Sequence, residues 1–122
     1  MNNIYIWILL LLLIYFIIKL RNYARYSVFK ISIEDAKKLL SDPKTVVVDV
    51  RTSLERKVGY YNNSIHIPAA DIDNDFMKLN LNKNTNIIVY CNTGQRARRA
   101  AEKIFKLGYC NVRYIVESYL SL

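Results

Sequence analysis

The longest hydrophobic run of this chain lies near its N-terminus, at residues 4–18. Two asparagines precede the run and Lys19 follows it. With Leu20 and a Lys19 side chain that extends toward the membrane surface, about 17 residues reach the hydrocarbon, the short end of the range for a spanning helix. The run has no polar face, so it lacks the pattern of an amphipathic core helix. It predicts one transmembrane helix within residues 1–20.

A cleaved signal peptide is the main alternative for this segment. The segment lacks the positively charged leading region of a signal peptide, and no cleavage site of the A-x-A type follows it, which favours an uncleaved anchor. No lysine or arginine precedes the run. Four follow it closely, at Lys19, Arg21, Arg25 and Lys30. The positive-inside rule therefore predicts a basic juxtamembrane linker at residues 21–30, on the cytoplasmic side of an inner or plasma membrane.

The rest of the chain alternates short apolar runs with amphipathic stretches. Residues 46–50 and 86–90 are largely apolar, as strands inside a parallel sheet are. Residues 96–107 place apolar side chains at helical spacing on one face. That face consists of Ala97, Ala100, Ala101, Ile104 and Phe105. This alternation predicts an α/β domain over residues 31–122, with a central parallel sheet covered by helices on both faces.

Local signals complete the set of predicted elements. Ser32, followed by Asp35, is typical of a helix start, and Thr52 with Glu55 forms the capping box of a second helix. Gly108 ends the long helix. The predicted strands are residues 29–31, 46–50, 65–67, 86–90 and 112–116, and the predicted helices are residues 33–40, 73–79, 96–107 and a short one after Thr52.

One cysteine stands where the chain passes from a strand to a helix. Cys91 follows the strand at residues 86–90, at the edge where open α/β sheets place their ligand sites. The free N–H groups and the dipole of the following helix point back at the sulfur and favour its thiolate. The pattern predicts a nucleophilic cysteine surrounded by backbone N–H groups of the loop. These loop residues are Asn92, Thr93, Gly94 and Gln95.

The spacing between Cys91 and Arg96 narrows the chemistry. Cysteine phosphatases have a loop that is one residue longer, and the position that would then need an arginine is Ala97 here. A shorter loop makes a tighter ring of N–H donors, which suits a single terminal sulfur on the cysteine better than a phosphate. Phosphatase and arsenate reductase chemistry are therefore disfavoured.

The C-x-x-G-x-R loop resembles the active-site loop of rhodanese-family sulfurtransferases, and three other segments agree. Residues 45–52 resemble the family's strand ending in Asp-Val-Arg, residues 59–68 its G-H-I-P-G-A-I-N-I-P block, and residues 107–112 its L-G-(aromatic)-x-N-V block. The resemblance as a whole extends over about residues 30–117. This resemblance implies a rhodanese-like three-layer α/β fold with a central parallel sheet, preceded by one N-terminal transmembrane helix.

The resemblance implies an activity. Cys91 is expected to take sulfur from a small donor such as thiosulfate, to hold it as a persulfide, and to pass it to an acceptor such as a protein thiol. Arg96 is expected to bind the anionic donor. Asp49 and Arg51 match family positions that are expected to support the loop and not to react.

The chain also departs from the family pattern. Tyr60 and Asn62 stand where the family usually has histidine and proline, and His66, the only histidine, falls at an asparagine position. The usual glycine pair after Glu117 and the final helix are missing. The alternative is therefore a non-catalytic, membrane-tethered binding module with the same fold.

The net charge of +8 raises the question of nucleic-acid binding. Four of the cations are juxtamembrane, others lie on the polar face of residues 96–107, and the sequence has no zinc finger, Gly-rich phosphate loop or RNA-binding aromatic motif. We therefore expect no nucleic-acid partner. No Cys/His spacing suits zinc, so no metal or cofactor is expected either. Cys110 is interpreted as structural or tolerated, not as a resolving thiol.

Overall fold

The structure is a computed structural model that describes residues 2–27 and 29–122. A long N-terminal helix precedes four strands and four shorter helices. The helices are α1 (Asn2–Ser27), α2 (Ile33–Leu40), α3 (Ser53–Val58), α4 (Ile72–Asp75) and α5 (Gln95–Lys106), and the strands are β1 (Val46–Asp49), β2 (Ser64–His66), β3 (Ile87–Tyr90) and β4 (Val112–Tyr114). Single 3₁₀ turns lie at Ala69–Asp71, Phe76–Leu79 and Tyr119–Ser121.

Helix α1 contains the predicted apolar segment and continues past it. Its stretch Asn2–Ala24 is long and apolar enough to cross a membrane, and none of it is buried against the rest of the described chain. The helix extends to Ser27, into the predicted linker at residues 21–30, because no glycine or proline interrupts the sequence there. Val28 of that linker lies outside the described residues, as do the side chains of residues 25–27. The division into anchor, linker and domain stays a prediction.

The four strands form one parallel sheet in the order β2-β1-β3-β4. The predicted parallel α/β architecture is therefore confirmed, with β1 and β3 at the centre. The predicted strand at residues 29–31 is wrong in extent: it is a single bridge between Lys30 and Tyr114. The chain must turn at once into the cap of α2 at Ser32, whose hydroxyl accepts a hydrogen bond from Asp35 N–H.

Two hydrophobic clusters cover the two faces of the sheet. One contains the buried face of α5 together with Val48, Val89 and Ile72, and the other contains Ala36 of α2 with Val47 and Ile88. The buried residues of α5 are Ala97, Ala100, Ala101 and Ile104.

Three predicted details are wrong at the margins of these clusters. The sequence places Phe105 on the buried face of the long helix, but the residue is 45% exposed, and its ring lies 5.1 Å from that of Phe29. The predicted helix at residues 73–79 is split into α4 and a 3₁₀ turn that ends at Asn80, which has a φ of 52°. Strand β4 ends at Tyr114, because Val116 leaves the sheet and packs against Gly94.

Candidate active site

The sulfur of Cys91 lies at the carboxyl end of the central strand β3 and is fully buried. Two backbone N–H groups donate to it, from Gly94 at 3.0 Å and from Ala97 at 3.4 Å. Gly94 is the cap residue of α5 and Ala97 its third residue, so both donors belong to the free N–H groups of a helix start. The partial positive charges of these N–H groups face the sulfur and stabilise a thiolate or the anion of a persulfide there.

The other loop residues have different positions. Thr93 and Gln95 are exposed and make neither of these contacts with the sulfur. Asn92 is also exposed and acts through its side chain, which donates to Glu55. Ala97 was not among the predicted site residues, since an alanine carries no side-chain signal for a backbone contact.

Gly94 has a backbone conformation that a side chain would disturb. Its φ is +92°, in the left-handed region. A Cβ atom built on it would lie 2.9 Å from Val116 Cα and 2.8 Å from Val116 Cγ1. Backbone strain and a clash with the backbone of the C-terminal segment therefore coincide at this residue.

We expect Gly94→Ala to lower the free energy of unfolding by about 3 kcal/mol, from left-handed strain and overpacking together. Denaturant unfolding of the detergent-solubilised chain, followed by far-UV circular dichroism, measures the loss. Gly108→Ala is the matched control, because Gly108 has a φ of +104° and the atoms nearest to its added Cβ belong to the flexible Lys83 side chain, at 3.6 Å. This control should cost about 1 kcal/mol, the strain alone. Equal losses for the two variants would contradict the predicted clash with Val116.

The Glu55 carboxylate connects α3 to the cysteine loop. It completes the predicted capping box by accepting a hydrogen bond from Thr52 N–H at 3.1 Å. It also accepts two hydrogen bonds from Arg96, from Nη1 at 2.6 Å and from Nη2 at 2.9 Å, and one from the Asn92 side chain. The hydrogen bonds from Arg96 are the main reason why the pKa of Glu55 is lowered to about 2. Glu55 is therefore ionised at neutral pH, and it holds the loop at Asn92 and at Arg96.

Arg96 is thus engaged by a carboxylate of its own chain. Its pKa is raised, chiefly by the hydrogen bonds with Glu55 and to a lesser extent by the nearby sulfur of Cys91. That a donor anion binds to Arg96 stays a prediction. The capping box identifies Glu55 as a helix cap, but sequence spacing carries no signal for its contact with the loop.

A second carboxylate, Asp49 at the end of β1, organises the neighbouring strand ends. It is fully buried and accepts hydrogen bonds from Arg51 Nε and Nη2, both at 3.0 Å, from Tyr90 Oη at 3.0 Å and from Arg56 Nη1 at 3.2 Å. Burial opposes ionisation, but the hydrogen bonds from Arg51 and Tyr90 outweigh it and lower the pKa of Asp49. Tyr90 directly precedes Cys91, so this network holds the end of β3 in place.

The C-terminal segment covers that network. The Tyr119 ring lies 4.9 Å from the Arg51 guanidinium and 5.7 Å from the Tyr90 ring. Its hydroxyl occupies the space that a Cβ on Gly59 would need. His66 Nε2 lies 2.8 Å from the backbone oxygen of Arg51, a structural contact outside the cysteine loop. The 3₁₀ turn at Tyr119–Ser121 therefore covers the network around Asp49.

The remaining candidate groups lie outside the loop. Cys110 is exposed, and its sulfur lies 4.0 Å from the backbone oxygen of Lys83. Both cysteines are free thiols. Within residues 2–27 and 29–122, no group of three or more His, Cys, Asp or Glu side chains has the arrangement of a metal site.

Comparison with known proteins identifies a family. A family model described as the rhodanese-like domain matches residues 32–121. A tRNA uridine(34) hydroxylase of Photorhabdus laumondii is 30% identical over 86 residues, which are 67% of this chain and 24% of that protein. The corresponding enzyme of Erwinia tasmaniensis is 33% identical over 81 residues, 63% of this chain and 23% of that protein. The chain spans about a quarter of the length of these curated relatives.

Solved structures show the same fold. A rhodanese-related protein of Thermoplasma volcanium superposes with a TM-score of 0.62 at 27% identity, covering 75% of this chain and 85% of that one. A single-domain sulfurtransferase of Saccharomyces cerevisiae gives 0.59 at 26% identity, with 75% and 86% covered. A human single-domain sulfurtransferase gives 0.67, with 76% and 93% covered, and at 20% identity it supports the fold alone.

Proposed function

We propose that this chain, which belongs to the family of rhodanese-like domains, transfers sulfur through a persulfide on Cys91. The observation that carries the proposal is the position of the Cys91 sulfur, buried at the end of β3 with the N–H groups of Gly94 and Ala97 directed at it. A cysteine that served only as a core residue would not need two such donors. They stabilise the negative charge that a persulfide carries on its sulfur atoms.

The proposed reaction has two steps of covalent catalysis. In the first, the Cys91 thiolate attacks the outer sulfur of the donor, a new S–S bond forms, and the bond inside the donor breaks. Its electron pair leaves with the remainder, which is sulfite when the donor is thiosulfate. In the second, an acceptor thiolate attacks the outer sulfur of the persulfide, and the electron pair of the breaking bond returns to Cys91. No net oxidation of the protein occurs over the cycle.

The proposal is tested with the detergent-solubilised chain, a sulfane-sulfur donor, and cyanide as acceptor. Thiocyanate should form in proportion to the protein and to the donor. If neither thiosulfate nor an organic thiosulfonate supports thiocyanate formation, the non-catalytic binding module is the better account of this fold.

We further propose that α1 anchors the domain in a membrane, with the domain in the cytoplasm. The support is the length and composition of Asn2–Ala24 together with the cations that follow the apolar run. A basic segment on that side is also attracted to anionic lipids, by about 1 kcal/mol for each cation near the surface.

Cys110 provides the test of this orientation, because its thiol is exposed. In intact cells it should be protected from a membrane-impermeant maleimide, and it should react once the membrane is opened. An Asn3→Cys variant, with Cys110 changed to serine, reports the other end of α1 and should react in intact cells. Labelling of Cys110 in intact cells would show that the domain faces outward, opposite to the orientation that the charges predict.

A further inference from the structure

The ion pair between Glu55 and Arg96 determines the charge that a donor meets at the loop. Both nitrogens of the Arg96 guanidinium terminus donate to the two oxygens of one carboxylate, at 2.6 and 2.9 Å. The pair is partly exposed at the loop, with 37% of the Arg96 side chain and 26% of the Glu55 side chain accessible. A donor that approaches the loop therefore meets a neutral pair and not an isolated cation.

The Glu55 carboxylate is also held independently of Arg96. It accepts hydrogen bonds from Thr52 N–H at 3.1 Å, from the Thr52 hydroxyl at 3.0 Å and from the Asn92 side chain. An anionic donor that took the place of the carboxylate on Arg96 would have to break these bonds or leave Glu55 facing it. If Glu55 keeps its hydrogen bonds and faces the donor, its repulsion is greater for a donor with two negative charges than for a donor with one.

We propose that Glu55 is a specificity-determining residue: by neutralising Arg96, it makes the loop favour singly charged sulfur donors over doubly charged ones. The class so favoured comprises organic thiosulfonates and organic persulfides, and the class disfavoured includes thiosulfate. This inference rests on the proposed function, since it concerns the donor that loads Cys91. Arg96 then orients the loop and balances part of the negative charge of the donor. Because it stays paired with Glu55, it does not bind the donor as an isolated cation.

Two donors with the same outer sulfur but different net charges test the proposal, because a change in their ratio between variants reports the charge at the loop. With methanethiosulfonate, the Cys91 thiolate attacks the outer sulfur, the S–S bond of the donor breaks, and methanesulfinate leaves with the electron pair. With thiosulfate, the same bonds form and break, and sulfite leaves. The first donor carries one negative charge and the second carries two. The measured quantity is the ratio of kcat/KM for thiosulfate to kcat/KM for methanethiosulfonate.

The decisive variant is Glu55→Gln. Glutamine is the other residue suited to the third position of a capping box, so α3 retains its start. Its amide oxygen can still accept from Thr52 N–H or from Asn92, while Arg96 regains its uncompensated charge. We expect the donor ratio to rise about tenfold toward thiosulfate, and to rise less when salt is added. Glu34→Gln, an exposed residue on α2 at the opposite face of the sheet from α5, makes the same chemical change and should leave the ratio unchanged.

Arg96→Gln is the second variant, and it should move the ratio in the opposite direction, because the Glu55 carboxylate then faces the donor alone. A purely structural role of the pair lowers kcat/KM for both donors equally. If the wild-type chain uses both donors and neither variant changes their ratio, the specificity role of Glu55 is overturned while the proposed function stands. If neither donor loads Cys91 in the wild-type chain, the proposed function itself fails.

Discussion

Replacing Cys91 by serine should remove sulfur transfer, lowering kcat/KM by at least about 10³-fold. A serine hydroxyl at the end of β3 accepts the same two N–H groups, from Gly94 and Ala97, so the fold should be retained. It cannot form the S–S bond on which the proposed cycle depends. Thiocyanate formation from thiosulfate or methanethiosulfonate with cyanide measures the loss, and circular dichroism confirms that the variant is folded.

Cys110→Ser is the matched control for this substitution. Cys110 is exposed, and its only described polar contact is a weak one with the backbone oxygen of Lys83. The variant should retain most of the wild-type rate. If the Cys110 variant loses as much activity as the Cys91 variant, the assignment of Cys91 as the single sulfur carrier is wrong.

The largest effect on stability is expected at Asp49. The Asp49→Asn change keeps the size of the side chain but removes the charge that faces Arg51 and Arg56, whose ion pairs with Asp49 measure 3.0 and 3.2 Å. The Arg51 side chain is only 5% exposed, so its charge would be left buried without a full partner. Breaking a buried pair in this way costs about 3–5 kcal/mol, a large part of the roughly 5–15 kcal/mol that stabilises a domain. Denaturant unfolding followed by circular dichroism measures the change.

Asp75→Asn is the control for Asp49→Asn, because Asp75 forms an ion pair of similar length with Lys78, and both side chains of that pair are accessible to solvent. It should cost less than about 1 kcal/mol. The pH dependence gives a further check. Since the folded-state pKa of Asp49 is lowered, its stabilisation is present above the ordinary carboxyl range and is lost as the pH falls. The difference in the free energy of unfolding between the wild type and Asp49→Asn should therefore become smaller at acid pH. If Asp49→Asn and Asp75→Asn lowered the free energy of unfolding equally at neutral pH, burial would not account for the role of Asp49.

Much of the fold could be predicted because its signals are local. The caps at Ser32 and Thr52 depend on side chains only three residues away, and both occur as predicted. The apolar runs that became β1 and β3 are central in the parallel sheet, where both faces are buried, so their hydrophobicity is nearly continuous. Cys91 directly follows β3 in the sequence, so its position at the carboxyl end of that strand could be predicted as well.

The contacts that complete the site could not be predicted, because they join distant parts of the chain. The pair between Glu55 and Arg96 spans 41 residues, and the capping box accounts for Glu55 without it. Tyr119, which is far along the chain from Arg51, packs its ring over the Arg51 guanidinium. At residues 29–31, the strand propensity was present, but the cap of α2 follows too closely for a strand to form.

The mass of the protein after exposure to a sulfur donor shows whether Cys91 carries sulfur. The solubilised chain is incubated with methanethiosulfonate or thiosulfate, freed of the donor, and measured intact and as peptides. We expect a gain of one sulfur atom, located on Cys91, absent in Cys91→Ser and released by cyanide as one equivalent of thiocyanate. A chain that gains no sulfur from either donor, or that gains it on Cys110 alone, would contradict sulfur transfer through Cys91.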